Sequence, residues 1–266
     1  LEALVAARID ELDPVLKDAL QNSSILGTSF EARDAAFLFG DKILERLDRL
    51  VETKWLRRTR RLSDIRTGYR FTHAITYEVA FRELVWEERA IDHARLADHL
   101  IAERKAGRRN PELATIARHL EGAREANRAA QYYALAASEA LQASSHIEAL
   151  RLVNQALQLA TSVSDRLQCL QFREIALSAL SRHEERLETL DQMLELTYAE
   201  EFSDERFEVL NLLALYWYDQ RDFEKASEYL DAIEEVQPPA NPAVALSEEG
   251  VVVVGLYAGT ELGWRR

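Results

Sequence analysis

Glycine and proline are scarce in this sequence, which contains only 9 Gly and 5 Pro among 266 residues. These two residues supply many of the tight turns that connect β-strands, so their scarcity disfavours an all-β fold. The common residues are instead Ala, Leu, Glu and Arg, which are strong helix formers. We therefore predict a mostly α protein that is long enough for one large or two ordinary domains.

Cysteine and long apolar runs are also nearly absent. The single cysteine, Cys169, cannot form an internal disulfide, and we expect it to be a buried hydrophobe in a protein of a reducing compartment. The longest apolar stretch, residues 251–258, is too short to cross a bilayer, and the N-terminus lacks a signal-peptide pattern. These features predict a cytoplasmic protein without membrane contact. The only methionine is Met193, so we expect the natural chain to begin upstream of Leu1.

The charge is distributed unevenly along the chain. Residues 1–72 carry 13 Lys or Arg and 12 Asp or Glu, which gives this part a net charge of +1. Since the whole chain has a net charge of −13, residues 73–266 carry −14. A large acidic surface repels nucleic acid and anionic membranes. The second part of the chain is therefore predicted to bind neither, and its acidity is typical of a solvated helical face.

The N-terminal part contains signals for three short helices. Asp13 and Pro14 form a strong helix start, because Asp favours the N-cap and Pro the first helical position. A second helix is predicted over residues 30–39 and ends at Gly40, after which Asp41 is placed to cap a third.

Two short strands are predicted after the third helix. Trp55 and Leu56 begin the first strand, and residues 69–72 form the second, with a polar and basic loop between them. Thr72 is placed to cap the helix that follows. Three helices followed by a β-hairpin predict a winged-helix domain over residues 1–72.

A winged helix raises the hypothesis of a DNA-binding regulator, which we keep as the alternative function. The third helix argues against it, because an acidic stripe on this helix would face the phosphates of a duplex. The stripe comprises Asp41, Glu45, Asp48 and Glu52. We interpret the basic residues of the hairpin as a surface that docks on another protein domain or as a solvated loop; the proposed docking residues are Arg57, Arg58, Arg60 and Arg61.

From His73 onward the apolar residues recur with the helical period of 3.6. We predict connecting helical hairpins over residues 73–124 and an α-solenoid of tetratricopeptide-like hairpins over residues 125–266, continuing beyond the C-terminus. The predicted helices cover residues 73–85, 87–106, 111–122, 125–143, 146–160, 164–182, 184–199, 203–220, 222–236 and 242–258.

Three copies of the repeat pattern can be recognised. A small residue on the first helix lets the second helix approach closely, and the second helix contributes an Ala and larger apolar residues. The pairings are Ala137 and Ala140 with Ala149, Val153 and Ala156; Ala176 with Leu190 and Met193; and Ala214 and Trp217 with Ala226, Leu230 and Ile233. The middle copy departs from the pattern, because Arg186 stands where Ala is expected.

No catalytic or metal-binding pattern is present. His93 and His99 are six residues apart on a predicted helix and point in different directions, and no HExxH motif or Cys/His cluster occurs. Phosphate-binding loops of the Gly-x-x-x-x-Gly-Lys type and nucleophile-elbow motifs are also missing. We predict that this chain is not an enzyme and holds neither a metal nor a cofactor.

Several segments resemble the region that follows the ATPase core in STAND-type signalling ATPases. The resemblance is carried by Leu4-Val-Ala-Ala-Arg-Ile-Asp-Glu-Leu-Asp-Pro, by Ile25-Leu26-Gly27 with Phe30, by Leu47-x-x-Leu50-Val51 with Trp55-Leu56, and by Phe71-Thr-His-Ala-Ile-x-x-Glu-Val-Ala-Phe81. It is strongest to large bacterial proteins in which a class III adenylate or guanylate cyclase or a protein kinase domain precedes the ATPase and tetratricopeptide repeats. The resemblance spans nearly the whole chain.

The resemblance implies that the winged helix docks on an absent nucleotide-binding domain, which would bind ATP or ADP in the full-length protein. It also implies that the repeats sense a partner or hold the ATPase inactive. His73 is the residue that could match a histidine contacting the ADP phosphate in related switches, and an anion would be favoured at its helix N-terminus. The alternative is a half-buried histidine that orients the strand-to-helix turn.

A protein or peptide ligand of the repeats would contact the first helix of each hairpin. The corresponding candidates are Gln131, Arg173, Asn211 and Tyr218. The apolar helix predicted at residues 251–257 would need a partner, so we expect either further repeats after it or a homo-oligomer formed through it.

Overall fold

The computed structural model describes residues 1–60, 67–198 and 202–236, and it confirms a mostly α fold. The chain divides into two compact units, one spanning Leu1–Ala129 and the other beginning at Ala130.

The first unit combines helices with a small sheet. Its elements are α1 (Glu2–Asp10), α2 (Pro14–Ser24), β1 (Ser29–Glu31), α3 (Ala32–Phe39), α4 (Lys42–Glu52), β2 (Leu56–Arg60), β3 (Thr67–Phe71), α5 (Ala74–Arg82), α6 (Trp86–Lys105) and α7 (Leu113–Gly122).

The start of α2 and the end of α3 lie where the sequence signals predict them. The Asp13 carboxylate accepts a hydrogen bond from the backbone N–H of Val15 at 2.9 Å, and Pro14 is the first residue of α2. Helix α3 ends at Gly40, which has a φ of 78°. Glycine adopts this left-handed conformation without the steric cost that a Cβ would bring.

One predicted cap is wrong, and a second residue takes the predicted cap position without making the capping bond. The N-cap of α5 is His73 and not Thr72, so the helix begins one residue later than predicted. The backbone N–H of Thr72 donates a hydrogen bond to the Trp55 carbonyl at 3.0 Å. Asp41 precedes α4, but its side chain makes no capping hydrogen bond. Its own φ and ψ, −60° and −27°, are already helical, whereas a capping side chain needs an extended backbone.

The sheet has three antiparallel strands in the order β1-β3-β2. The sequence predicts β2 and β3 as a hairpin but neither β1 nor α1. Tyr69 of β3 lies opposite Phe30 on one side and Arg58 on the other, and Leu56 lies opposite Phe71. Phe30, Leu56, Tyr69 and Phe71 share one face of the sheet and are all buried. This face therefore forms part of the core of the first unit.

Helix α3 is tied to the hairpin of α6 and α7 by an ion pair and a ring contact. Arg109, which follows α6, bonds both carboxylate oxygens of Asp34 at 2.5 and 2.9 Å and approaches Glu31 at 2.8 Å. The Phe37 and His99 rings stack with centroids 3.8 Å apart. Residues 1–72 and the connecting hairpin that follows are therefore packed together within one unit.

The second unit consists of consecutive helices in the part of the chain that the structure describes. These are α8 (Ala126–Gln142), whose first residues belong to the first unit, α9 (His146–Leu159), α10 (Val163–Ala179), α11 (His183–Leu196), α12 (Ser203–Asp219) and α13 (Phe223–Glu235). From α5 to α13 the predicted bounds agree with the structure to within three residues at each end. The helix predicted at residues 242–258 lies outside the described residues.

Four turns between described helices repeat the same backbone geometry. Arg124, Ser144, Ser181 and Arg221 each have a positive φ, between 54° and 62°. After each of them, a backbone N–H reaches back five residues to a helix carbonyl, in the bonds Glu125→Leu120, Ser145→Ala140, Arg182→Leu177 and Asp222→Trp217. This is the Schellman pattern of helix termination. The same turn therefore follows α7, α8, α10 and α12, and the last three join the hairpins α8–α9, α10–α11 and α12–α13.

Helices α6 and α7 are joined by a buried pair of histidines. The Nδ1 atoms of His93 and His119 are 2.8 Å apart, and the residues are 6% and 3% exposed. One imidazole must donate and the other accept, so the two cannot both be protonated. A Cβ on Gly122 would lie 2.6 Å from the His93 ring, so this glycine makes room for the pair.

Burial lowers the pKa of His93 to about 4 and that of His119 to about 3, with further repulsion from Arg118 in both cases. Both values lie below the ordinary value of 6.5. Unfolded histidines therefore bind protons below that pH while the folded pair does not, and stability falls as the solution is acidified.

We expect the free energy of unfolding to drop between about pH 6.5 and pH 4, by on the order of 2 kcal/mol per histidine at pH 5. Urea unfolding at pH 7 and pH 5 measures the drop. Carboxylates also titrate in this range, so the matched comparison is His119→Asn, which can still hydrogen-bond His93 but does not titrate. The drop should be smaller in this variant; an identical drop would contradict the assignment.

Candidate functional site

The predicted docking arginines of the hairpin differ in their surroundings. Arg58 bonds Asp48 at 2.7 Å and its guanidinium lies over the Tyr69 ring, so its charge is already compensated. Arg57 is exposed, lies opposite Arg70 across the sheet, and donates to the Thr72 carbonyl at 3.4 Å. The side chain of Arg60 and the whole of Arg61 lie outside the described residues. Of the two members whose side chains the structure describes, Arg57 is thus the one placed to contact another molecule.

The acidic stripe of α4 is partly neutralised. Asp48 accepts a hydrogen bond from the Tyr69 hydroxyl at 2.8 Å in addition to its ion pair with Arg58. Burial, reinforced by this carboxylate, raises the pKa of Tyr69 to about 12. Asp41, Glu45 and Glu52 remain exposed. The helix that would enter a DNA groove therefore still presents carboxylates to solvent.

His73 is exposed at the N-terminus of α5, and its side chain makes no capping hydrogen bond. It is therefore not the half-buried residue of the alternative interpretation. The Thr76 and Tyr77 N–H groups bond to its carbonyl, as the start of a helix requires. The first N–H groups of a helix carry partial positive charge, so this position favours an anion.

The four predicted partner-binding residues fall into two classes. Gln131 on α8 is exposed, and Tyr218 on α12 is 42% exposed while its ring packs edge-on against Phe223. Asn211 is only 7% exposed, and its amide donates to the Phe207 carbonyl of its own helix at 2.8 Å. Arg173 on α10 is half-buried. Gln131 and Tyr218 can reach a partner, whereas Asn211 serves its own helix.

A buried ion pair lies in the middle hairpin. Arg186 of α11 contacts Glu174 of α10 at 2.6 Å, and the two residues are 7% and 3% exposed. The Arg186 guanidinium also lies 5.9 Å from the centre of the Tyr216 ring of α12. The pair therefore joins α10 to α11 and reaches the first helix of the next hairpin.

Glu174 and Arg186 are twelve residues apart, and the same spacing separates buried alanines in the two flanking hairpins. Ala137 and Ala149 occupy the equivalent positions of α8 and α9, and Ala214 and Ala226 those of α12 and α13. The shared turn geometry fixes this equivalence, since Ser144, Ser181 and Arg221 each follow the first member of the pair by seven residues. Sequence reasoning noted Arg186 but missed Glu174, which the spacing could have revealed.

The described residues offer no metal or reactive-cysteine site. No three His, Cys, Asp or Glu side chains are grouped as a metal ion would require within residues 1–60, 67–198 and 202–236. Cys169 is free and 1% exposed, and burial, together with Asp165, raises the pKa of its thiol to about 11. The prediction of a buried hydrophobe at this position is confirmed. Among the described helices, none combines the length and apolar character needed to cross a bilayer.

No protein-family model matches the chain, and no curated protein or solved structure is significantly similar to it.

The ion pair should be far costlier to break than to remove. Arg186→Ala leaves the Glu174 carboxylate buried without its guanidinium, which costs about 3–5 kcal/mol of unfolding free energy. Glu174→Ala/Arg186→Ala removes both charges and recreates the alanine pair of the flanking hairpins, so it should cost less than Arg186→Ala alone. Urea denaturation of the wild type, both single variants and the double variant measures the coupling.

Arg151→Ala is the control for this cycle, because the exposed pair of Arg151 and Glu148 should contribute at most about 1 kcal/mol. If the loss of unfolding free energy in the double variant equals the sum of the losses in the two single variants, Glu174 and Arg186 are not coupled.

Proposed function

We propose that this chain is a regulatory and protein-interaction segment of a larger signalling ATPase of the STAND type. Its first part is a winged-helix domain and its second a set of tetratricopeptide-like hairpins. The element order α2-β1-α3-α4-β2-β3, with strand order β1-β3-β2, supports the winged helix because that domain has the same order. The assignment to this class of ATPase rests on the sequence resemblance.

The observation that carries the interaction role is the repetition of one hairpin geometry three times. Equivalent turns place the first helices, α8, α10 and α12, at equivalent positions of successive hairpins. Repeats of this kind present an extended surface along one set of helices, which suits a peptide or protein ligand. Gln131 and Tyr218 are exposed on two of these helices.

The winged helix is proposed to dock on the absent nucleotide-binding domain, with Arg57 at the contact and His73 near the bound nucleotide. ATP or ADP would be bound by that domain, in a cytoplasmic protein. An oligomer formed through residues 251–257 also remains a proposal. The DNA-binding alternative is disfavoured by the exposed carboxylates of α4, and because Asp48 engages Arg58, a basic residue that would otherwise hold phosphate.

The interaction role can be tested in the full-length protein within its own cells. A photo-crosslinking amino acid in place of Gln131 or Tyr218 should capture a discrete protein partner, because both side chains are exposed on first helices. The matched control is the same substitution at Glu188, which is exposed on the second helix α11. Equal capture from all three positions, or from none, would argue against a ligand on the first helices.

The nucleotide role of His73 makes a separate prediction. His73→Ala in the full-length protein should weaken ADP binding by about tenfold, the value of one hydrogen bond to a charged group, and raise basal activity. His183→Ala is the control, since this histidine is also exposed at a helix start but lies in the second unit. ADP affinity and basal activity that both stay at the wild-type level would eliminate the sensor role.

A further inference from the structure

Apolar side chains that reach solvent recur at equivalent positions of the first helices α8, α10 and α12. The residue nine positions before the positive-φ residue of each hairpin is apolar in all three: Leu135, Phe172 and Leu212. Leu135 is 52% exposed, and the other two are partly exposed. A position that is apolar in every hairpin and yet open to solvent is not explained by core packing alone.

Two of these helices extend the apolar surface by one turn. Ile175 and Leu215 lie three residues after Phe172 and Leu212, so each shares a helix face with its neighbour. Ile175 is 47% exposed and Leu215 is partly exposed. Equivalent positions of stacked hairpins form a continuous row. We call this row the outer strip; it consists of Leu135, Phe172, Ile175, Leu212 and Leu215.

The second helices differ in the character of their exposed residues. After the first turn of α9, α11 and α13, the described residues that are exposed are all polar or charged. Exposed apolar residues that are scattered singly need no explanation, whereas contiguous apolar patches mark interaction sites. The restriction of the outer strip to one set of helices therefore favours a binding surface.

The outer strip is bordered by polar side chains at the N-terminal end of each first helix. The residue four positions before Leu135 and Phe172 is an exposed glutamine, Gln131 or Gln168, whereas the residue four positions before Leu212 is Glu208. The border of the strip is therefore neutral on α8 and α10 and acidic on α12.

Glu208 lies among other carboxylates. Burial raises the pKa of its carboxyl group, and repulsion from Glu205 and Asp204 raises it further. The basic residue of the same helix, Arg206, has its guanidinium 4.5 Å from the centre of the Tyr198 ring. A cation beside Glu208 would relieve this repulsion.

The charge of the module limits which molecules suit the outer strip. Residues 73–266 carry a net charge of −14, so nucleic acid and acidic peptides would be repelled. The apolar side chains of the strip require apolar groups on the ligand, and the acidic end requires a cation. A protein segment that combines apolar residues with Lys or Arg meets both requirements.

We propose that the outer strip binds a protein segment whose apolar side chains lie against the strip while one of its Lys or Arg residues pairs with Glu208. This rests on the proposed interaction role and names the chemistry of the partner. The apolar contacts supply affinity, and the charge pair fixes the orientation of the segment, since only α12 presents a carboxylate at this position.

The test begins with selection from a library of displayed random peptides, with the whole chain as bait. We expect the selected sequences to be enriched in apolar residues together with Lys or Arg, and depleted of Asp and Glu. The peptide that binds most tightly is then synthesised with a fluorescent label, and fluorescence anisotropy measures its dissociation constant for the wild type and for variants of the chain.

Replacing exposed members of the outer strip tests the apolar contacts. Leu135→Gln and Ile175→Gln should each weaken peptide binding by about tenfold, the effect of losing one well-buried aliphatic contact. Both side chains are about half exposed, so urea unfolding should match the wild type. Ile147→Gln is the matched control, because Ile147 is 77% exposed on the second helix α9, and its affinity should equal that of the wild type.

The charge pair is tested by a double-mutant cycle. Glu208→Gln keeps the shape of the side chain and should weaken binding by about fivefold, as for a partly exposed ion pair. Each Lys or Arg of the peptide is also replaced in turn by Gln. One of these replacements should weaken binding to the wild type but leave binding to Glu208→Gln unchanged.

Four results would overturn the proposal: no enrichment of any sequence, enrichment of acidic sequences, wild-type affinity in both Leu135→Gln and Ile175→Gln, or wild-type affinity in Glu208→Gln. Sedimentation supplies a further arm. Self-association of the whole chain that Ile175→Gln abolishes and Ile147→Gln leaves intact would assign the strip to a second copy of this chain instead.

Failure of this proposal is distinguishable from failure of the interaction role. Partner capture through Gln131 or Tyr218 in the full-length protein does not depend on the chemistry of the selected peptides. Capture that persists after a failed selection would leave the interaction role standing and remove only the apolar and basic ligand.

Discussion

The buried ion pair of Glu174 and Arg186 is the interaction around which the second unit is arranged. It joins both helices of the middle hairpin and, through the ring of Tyr216, touches the first helix of the next. Pairing two buried charges recovers their cost of desolvation only when the geometry is good, so such a pair adds little net stability although removing one partner alone is costly. The alanines at the same positions of the flanking hairpins achieve close packing without any charge.

This difference gives the middle hairpin its chemical character. A repeat built from alanine pairs is apolar inside, whereas the middle repeat holds the ion pair of Glu174 and Arg186 at the same positions. Removing one partner of such a buried pair leaves an uncompensated charge, so the two residues depend on each other.

The first unit is held by contacts between residues far apart in the chain. Arg109 pairs with Asp34 across 75 residues, and His93 with His119 across 26. No local pattern signals either pair: a histidine on a predicted helix, or an arginine in the loop after one, is usually solvated, and its partner is identified only when the helices pack. The strand β1 was missed for the same reason, since three residues form a strand only because β3 lies beside them.

The sequence by itself determined the helical class, the bounds of the helices from α5 onward, and the start of α2 at Asp13 and Pro14. These features follow from periodicity and from caps formed by neighbouring residues, which are local properties of the chain. The tertiary structure alone decided that Asn211 is turned towards its own helix, that His73 is exposed, and that His93 meets His119. Burial and charge pairing depend on which helices meet, and that is a property of the packed molecule.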